Sequence, residues 1–180
     1  MNEYFFTYDF ATGDQRWKGK ADVFGQDLPT GFGIVAVTEA EYAGLLVDVP
    51  LATLQAGISA QVNSQRDKVL KAGYLVPSGT LAGETLQVGD PTDQTNWLTS
   101  VRLYEKQIAL GNGAVSGAKF RTLGNDTFTL TFNEGLSVLD AMALWGASVW
   151  AHSWDLKDDL AAASTALDAL QIDYTAGWPS

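Results

Sequence analysis

Between Glu134 and Leu170 the residues Leu136, Leu139, Met142, Trp145, Val149, His152 and Leu156 recur at spacings of three and four. Side chains at those spacings share one face of an α-helix. The segment is therefore predicted to be helical from Glu134 to about Leu170, with Asn133 as its N-cap and Gly135 and Gly146 as weak points. An apolar seam of this length must be buried against a second layer, and that requirement limits the folds open to the chain. Trp150 and Trp154 fall well off the seam. Either the helix is covered on two sides, or it presents these indoles to a partner.

The covering layer is legible just upstream. In "AKFRTLGNDTFTLTF", Phe128, Leu130 and Phe132 alternate with Thr127, Thr129 and Thr131, and Gly124-Asn125-Asp126 has turn chemistry. This predicts a β-hairpin near Lys119 to Phe132, with one face buried beside the final helix. Before it, "GDPTDQTN" reads as a turn into a helix from about Thr95 to Leu110, which Gly111 and Gly113 stop. "YLVPSGTLAGETLQV" supplies two or three short strands broken by Pro77, Gly79 and Gly83.

The front of the chain has a different pattern. "EYFFTYDFATGDQRWKGKA" predicts two strands around Ala11-Thr12-Gly13-Asp14, and "GFGIVAV" predicts a third. Thr38 and Glu41 form a capping-box pattern that starts a short helix ending near Leu46. Pro50 suits the first turn of a connecting helix, along which Leu54, Ile58, Val62, Val69 and Leu70 recur at helical spacing before Gly73. The predicted fold is α+β, with a small N-terminal β unit over 1–46, a connecting helix over 47–73, and a C-terminal domain over 74–180.

Composition excludes several functions. With 21 acidic against 11 basic residues the formal charge is -10, which repels a phosphate backbone, so nucleic acid is not an expected partner. There is no cysteine, hence no disulfide framework, thiolate nucleophile or thiolate-bound metal. The N-terminus has acids before its first base, Arg16, and does not read as a secretory signal. The longest apolar run, Ala141 to Ala151, is too short to cross a bilayer, so a soluble protein is expected.

Individual motifs point to packing and capping. His152 with Ser148 and Asp155 sits at helical spacing, yet no nucleophile elbow or oxyanion donor accompanies it, and a packed or capped histidine is expected. One histidine cannot build a multi-histidine metal site, and Asp155, Asp158 and Asp159 read as a solvated acidic face. Asp90, Asp93 and Asn96 lack calcium-loop spacing, and "GNGAVSGAK" carries Ser116 where a dinucleotide loop needs its third glycine. No catalytic residue, metal ligand or cofactor site is predicted.

Two stretches carry a family resemblance. From about Gln65, "RDKVLKAGYLV", "TNWLTSV", "FRTLGNDTFTLTFNEGLSVLDAMALWGASVWAHSWDLKDDL" and "IDYTAGWP" resemble an uncharacterised C-terminal domain family of bacteriophage tail proteins. The N-terminal "YDFATGDQRWKGKADVFGQDLPTGFGIVAVTEAE" is similar to the front of phage tail-fibre assembly proteins. The resemblance implies a non-enzymatic tail protein that binds the tail fibre or receptor-binding protein as assembly chaperone or cap. The alternative it leaves is a minor subunit of the tail tip or baseplate that attaches the fibre. It also implies a location in the host cytoplasm during assembly, with the virion tail as the second location. A glycan hydrolase is the remote alternative and needs two facing carboxylates. The candidate partner-binding residues are Trp150, Trp154, Trp178 and Pro179.

Overall fold

The computed structural model describes residues 3–21 and 28–179. Its architecture is α+β, about 50% helix and 20% strand. The chain divides into two compact units, Met1–Lys68 with Trp150–Trp178, and Val69–Val149 with Pro179–Ser180. This grouping is not the sequential 1–46, 47–73, 74–180 division expected from the sequence. Two helices that run from one unit into the other are the reason.

In the first unit, β1 (Glu3–Asp9) lies between β2 (Gln15–Ala21) and β3 (Phe32–Val37) in an antiparallel sheet of order β2-β1-β3. Phe6 pairs with Lys18 on one side and Val35 on the other. Alternation then sends Phe6, Tyr8 and Val35 into one core. That core is closed by Leu54, Ile58 and Val62 of the helix Leu51–Ala72, and by Leu156 and Leu160 of the helix Phe132–Ala162. Thr38 makes the expected capping box with Glu41, but the helix it starts is only α1 (Glu39–Tyr42). A separate 3₁₀ turn, Leu46–Asp48, precedes α2 (Leu51–Ala72). Gly57 of α2 is a close-approach residue, because a Cβ there would stand 2.5 Å from Val35 Cγ2 and 3.1 Å from the Ala36 carbonyl.

The edge of β3 is closed by a side chain. The Tyr174 hydroxyl accepts from the Ile34 N–H at 2.8 Å and donates to the Ile34 carbonyl at 3.3 Å. One phenol thus satisfies both backbone groups that an added strand would use.

The second unit holds the two-stranded ladder of β4 (Tyr74–Leu75) and β5 (Thr85–Leu86), then α3 (Pro91–Ala109), then the hairpin of β6 (Ser116–Arg121) and β7 (Thr127–Thr131). Helix α3 starts a turn earlier than the sequence suggested. The Asp90 carboxylate accepts from the Thr92 N–H and Pro91 occupies the first turn, so the aspartate-proline pair read as a turn is the helix start. The hairpin stands where it was expected, with Asn125 at φ 69 in its turn and Ala118, Phe120 and Leu130 buried.

Helix α4 (Phe132–Ala162) departs from expectation at both ends. Its cap is Thr131, not Asn133. The Thr131 hydroxyl accepts from the Glu134 N–H, and the Glu134 carboxylate accepts from the Thr131 N–H, a capping box that holds the Glu134 carboxyl below the usual carboxylate range. It also stops at Ala162 instead of running to Leu170. A second capping box, Thr165 with Asp168, begins the separate helix α5 (Ala166–Leu170). Gly135 is not a weak point either. A Cβ there would stand 2.5 Å from the Ala118 Cβ, so the glycine lets the helix lie directly on the hairpin. Of the predicted seam, Leu139, Met142, Trp145, Val149 and Leu156 are buried, while Leu136 near its start and His152 are only partly so.

Candidate functional site

Five residues beyond the buried Trp145, helix α4 turns its other face outward. Trp150 and Trp154 are 40% and 57% exposed, so the off-seam indoles are presented to solvent, and among the described residues no second layer covers them. Four residues apart on a helix, they stand on adjoining turns with ring centroids 6.3 Å apart.

Helix α2 supplies the rest of this surface. The Arg66 guanidinium lies 4.1 Å from the centroid of the Trp150 ring, within cation–π range. Its Nε and Nη2 donate to Asp67 Oδ1 at 2.9 and 2.7 Å, and its Nη1 donates to Asn63 Oδ1 at 3.1 Å. From α4, Lys157 Nζ donates to the same Asn63 oxygen at 2.6 Å. Asn63, Arg66 and Asp67 are neighbours on α2 by the three- and four-residue rule. Two helices therefore fix one indole, with each neighbouring base already engaged. Sequence reading passed over Arg66 and Asn63, because nothing local in α2 shows that it will meet a segment so distant in the chain.

The other residues singled out in the sequence have structural work. His152 Nε2 is 3.0 Å from the Ala176 carbonyl, and its ring meets Trp178 edge-on at 4.7 Å. The Ser148 hydroxyl donates to the Trp145 carbonyl of its own helix at 2.7 Å. Neither bond is one that a Ser-His-Asp relay uses. Asp155, Asp158 and Asp159 are exposed. Among the described residues, no group of three or more His, Cys, Asp or Glu could hold a metal ion, and no helix is long and apolar enough to cross a membrane.

Trp178 and Pro179 differ from their expected role. The Trp178 indole donates to the Tyr174 carbonyl at 2.9 Å and packs half-buried on the first core, while the Pro179 carbonyl accepts from Trp145 Nε1 at 3.3 Å. Both are occupied within the chain. The tail docks on its own protein because its indole and carbonyl find partners there. Of the four candidates, Trp150 and Trp154 alone present large exposed aromatic surface.

Two concavities in the first unit offer other chemistry. One, of about 310 Å³, is walled by Gln61, Gln65, Lys68 and Asp173. The other, of about 510 Å³, gathers the exposed aliphatic residues Leu45, Val47 and Leu167. Neither contains an indole or a guanidinium, the groups most enriched at binding hot spots, and the Trp150–Trp154 surface has both.

A sequence profile described as "Domain of unknown function (DUF4376)" matches residues 53–176, a span that takes in Arg66, Trp150 and Trp154. No curated protein and no solved structure matches the chain. With the greater part of its length inside that match, the chain belongs to the DUF4376 family of domains of unknown function.

Proposed function

We propose that this chain is a non-enzymatic, protein-binding component of a bacteriophage tail, which engages the tail fibre or receptor-binding protein as an assembly chaperone or cap. The observation that carries the protein-binding part is the exposed Trp150–Trp154 pair with Arg66 against one ring. Large aromatic surface left in solvent by a folded chain marks interaction sites, and tryptophan and arginine dominate their energetics. The tail assignment rests on the resemblance of the segments from about Gln65 to phage tail proteins. On the same resemblance the proposed location is the host cytoplasm during assembly, with the virion tail as the second location.

Co-expression with the neighbouring fibre gene tests the reading. The wild-type chain is expected to bring the fibre into the soluble fraction as a trimer and to co-purify with it. Trp150→Ala with Trp154→Ala should abolish co-purification while the melting temperature holds. A fibre that folds and behaves identically without this chain, or binds the double variant unchanged, overturns the proposal. Mass spectrometry of purified virions then separates an assembly factor, absent from particles, from a tail-tip subunit, present in fixed copy number.

A further inference from the structure

The Trp150–Trp154 surface has two unlike sides. Successive residues of an α-helix step by about 100°, so Lys157 lies on one flank of the tryptophan stripe and Asp158 on the other, with Asp155 beyond Asp158 and Asp159 on the far side of the helix from Trp150. Arg66 joins the Lys157 flank from α2. The bases there are spent. Arg66 is bound to Asp67, Asn63 and the Trp150 ring, and Lys157 is bound to Asn63. On the opposite flank Asp158 and Asp155, and beyond them Asp159, are exposed and form no ion pair among the described residues.

We infer that the partner docks on this surface through a basic amphipathic segment, with an apolar residue seated on Trp154 and the open side of Trp150, and lysine or arginine facing Asp158 and Asp155. The inference rests on the reading of this surface as a protein contact and specifies its chemistry. Charge complementarity selects the occupant. An acidic segment would meet the unpaired carboxylates of Asp158 and Asp155 and a chain of net charge -10, and like charges brought together at an interface disfavour binding. A purely apolar segment would leave those carboxylates partly desolvated without partners, which is costly. A cationic one pairs them, and it can also place a charge over the exposed Trp154 ring, as Arg66 does on Trp150. Association should accordingly be steered by charge and held by the indoles.

Two arms test this separately from the parent proposal. In the first, binding to the co-purified fibre is compared for the wild type, Asp155→Asn with Asp158→Asn and Asp159→Asn, and Trp150→Ala with Trp154→Ala. The triple variant should lose about tenfold or more in affinity, mostly in association rate, and most of the salt dependence should go with it. If the tryptophan variant loses binding while the triple variant keeps wild-type affinity and salt response, the protein contact stands and the basic-segment inference falls. If the tryptophan variant binds normally, the parent reading falls.

The second arm needs no fibre. A designed amphipathic helix with leucine on one face and flanking lysines is titrated against the chain and followed by tryptophan fluorescence, beside its glutamate-for-lysine counterpart. The lysine peptide should bind at least about tenfold more tightly and cause a change in emission that is absent from the tryptophan variant, in which four tryptophans remain. Equal affinities overturn the inference. So does lysine-peptide binding that persists unchanged in the tryptophan variant, because that would be general attraction to the acidic chain.

Discussion

Trp145 and Trp150 stand five residues apart on one helix and have opposite fates. Trp145 is 8% exposed, lies 5.6 Å from the Tyr74 ring between centroids, and donates its indole N–H to the Pro179 carbonyl. Trp150 keeps two-fifths of its surface in solvent and touches a guanidinium. The first side chain is explained by the fold. The second adds little to it, and the extra apolar surface it leaves in water gives it meaning as a contact. Residue type does not separate the two; position around the helix does, since five residues rotate a side chain to the opposite half of the helix.

The contrast breaks most visibly at Trp145. Trp145→Ala removes a buried indole and leaves a void beside Tyr74, a change that typically costs about 3 to 5 kcal/mol. Urea denaturation should show a large drop in midpoint, and a change of under about 1 kcal/mol would show that Trp145 is peripheral to its unit.

The two glycines of α4 sharpen the same contrast with a smaller signal. Gly135 faces the hairpin, where any Cβ meets Ala118 Cβ at 2.5 Å and the Tyr104 ring at 3.1 Å, whereas nothing lies within 4 Å of a Cβ built on Gly146. Gly135→Val should cost about 1 to 3 kcal/mol through overpacking. Gly146→Ala should gain up to about 1 kcal/mol from helix propensity. Equal effects in thermal melts would mean that the helix does not rest on the hairpin as described.

Buried tyrosines give a third pair. Tyr174 and Tyr8 are both core residues, but the Tyr174 hydroxyl bridges Ile34, while the Tyr8 hydroxyl has no hydrogen-bond partner among the described residues. Tyr174→Phe should cost about 1 to 3 kcal/mol, because it leaves buried backbone groups unpaired; Tyr8→Phe should be neutral or stabilising. Burial raises the pKa of both hydroxyls above the usual tyrosine value of about 10. For a group whose folded pKa is raised, the stabilisation is complete below the unfolded value and is lost as pH climbs beyond it. Stability should therefore fall above about pH 10, and the fall should be shallower in Tyr8→Phe. An identical alkaline profile for that variant would contradict the burial of Tyr8.

Much of this was readable from the sequence because it is local. The alternating phenylalanine and threonine residues of β7 and the seam of α4 are periodic patterns, and their elements stand where the periods put them. The misplaced boundaries were local too, but rival signals competed for them. Asn133 is a good cap by type, yet Thr131 with Glu134 satisfies two backbone amides reciprocally where Asn133 could satisfy one. Thr165 with Asp168 likewise restarts a helix inside a stretch whose period alone suggested continuity. The site was half legible. The position of Trp150 and Trp154 off the seam could be counted, but Arg66 and Asn63 reach them only through the tertiary meeting of α2 and α4, which no spacing encodes.

The exposed face should yield the smallest change in stability. Neither Trp150 nor Trp154 belongs to the core cluster, and the contacts that Trp150→Ala with Trp154→Ala removes include the indole pair itself and the Arg66 stack on Trp150, the latter worth about 0.5 to 1 kcal/mol at an exposed site. Arg66 also keeps its bonds to Asp67 and Asn63 without the ring, so the helix pair should not separate. Thermal melts should place the double variant within a few degrees of the wild type, in contrast to the collapse expected of Trp145→Ala. Should the double variant instead melt as low as Trp145→Ala, the outer face of α4 would be part of the folded core, and the comparison between the two faces, together with the binding surface built on it, would fail.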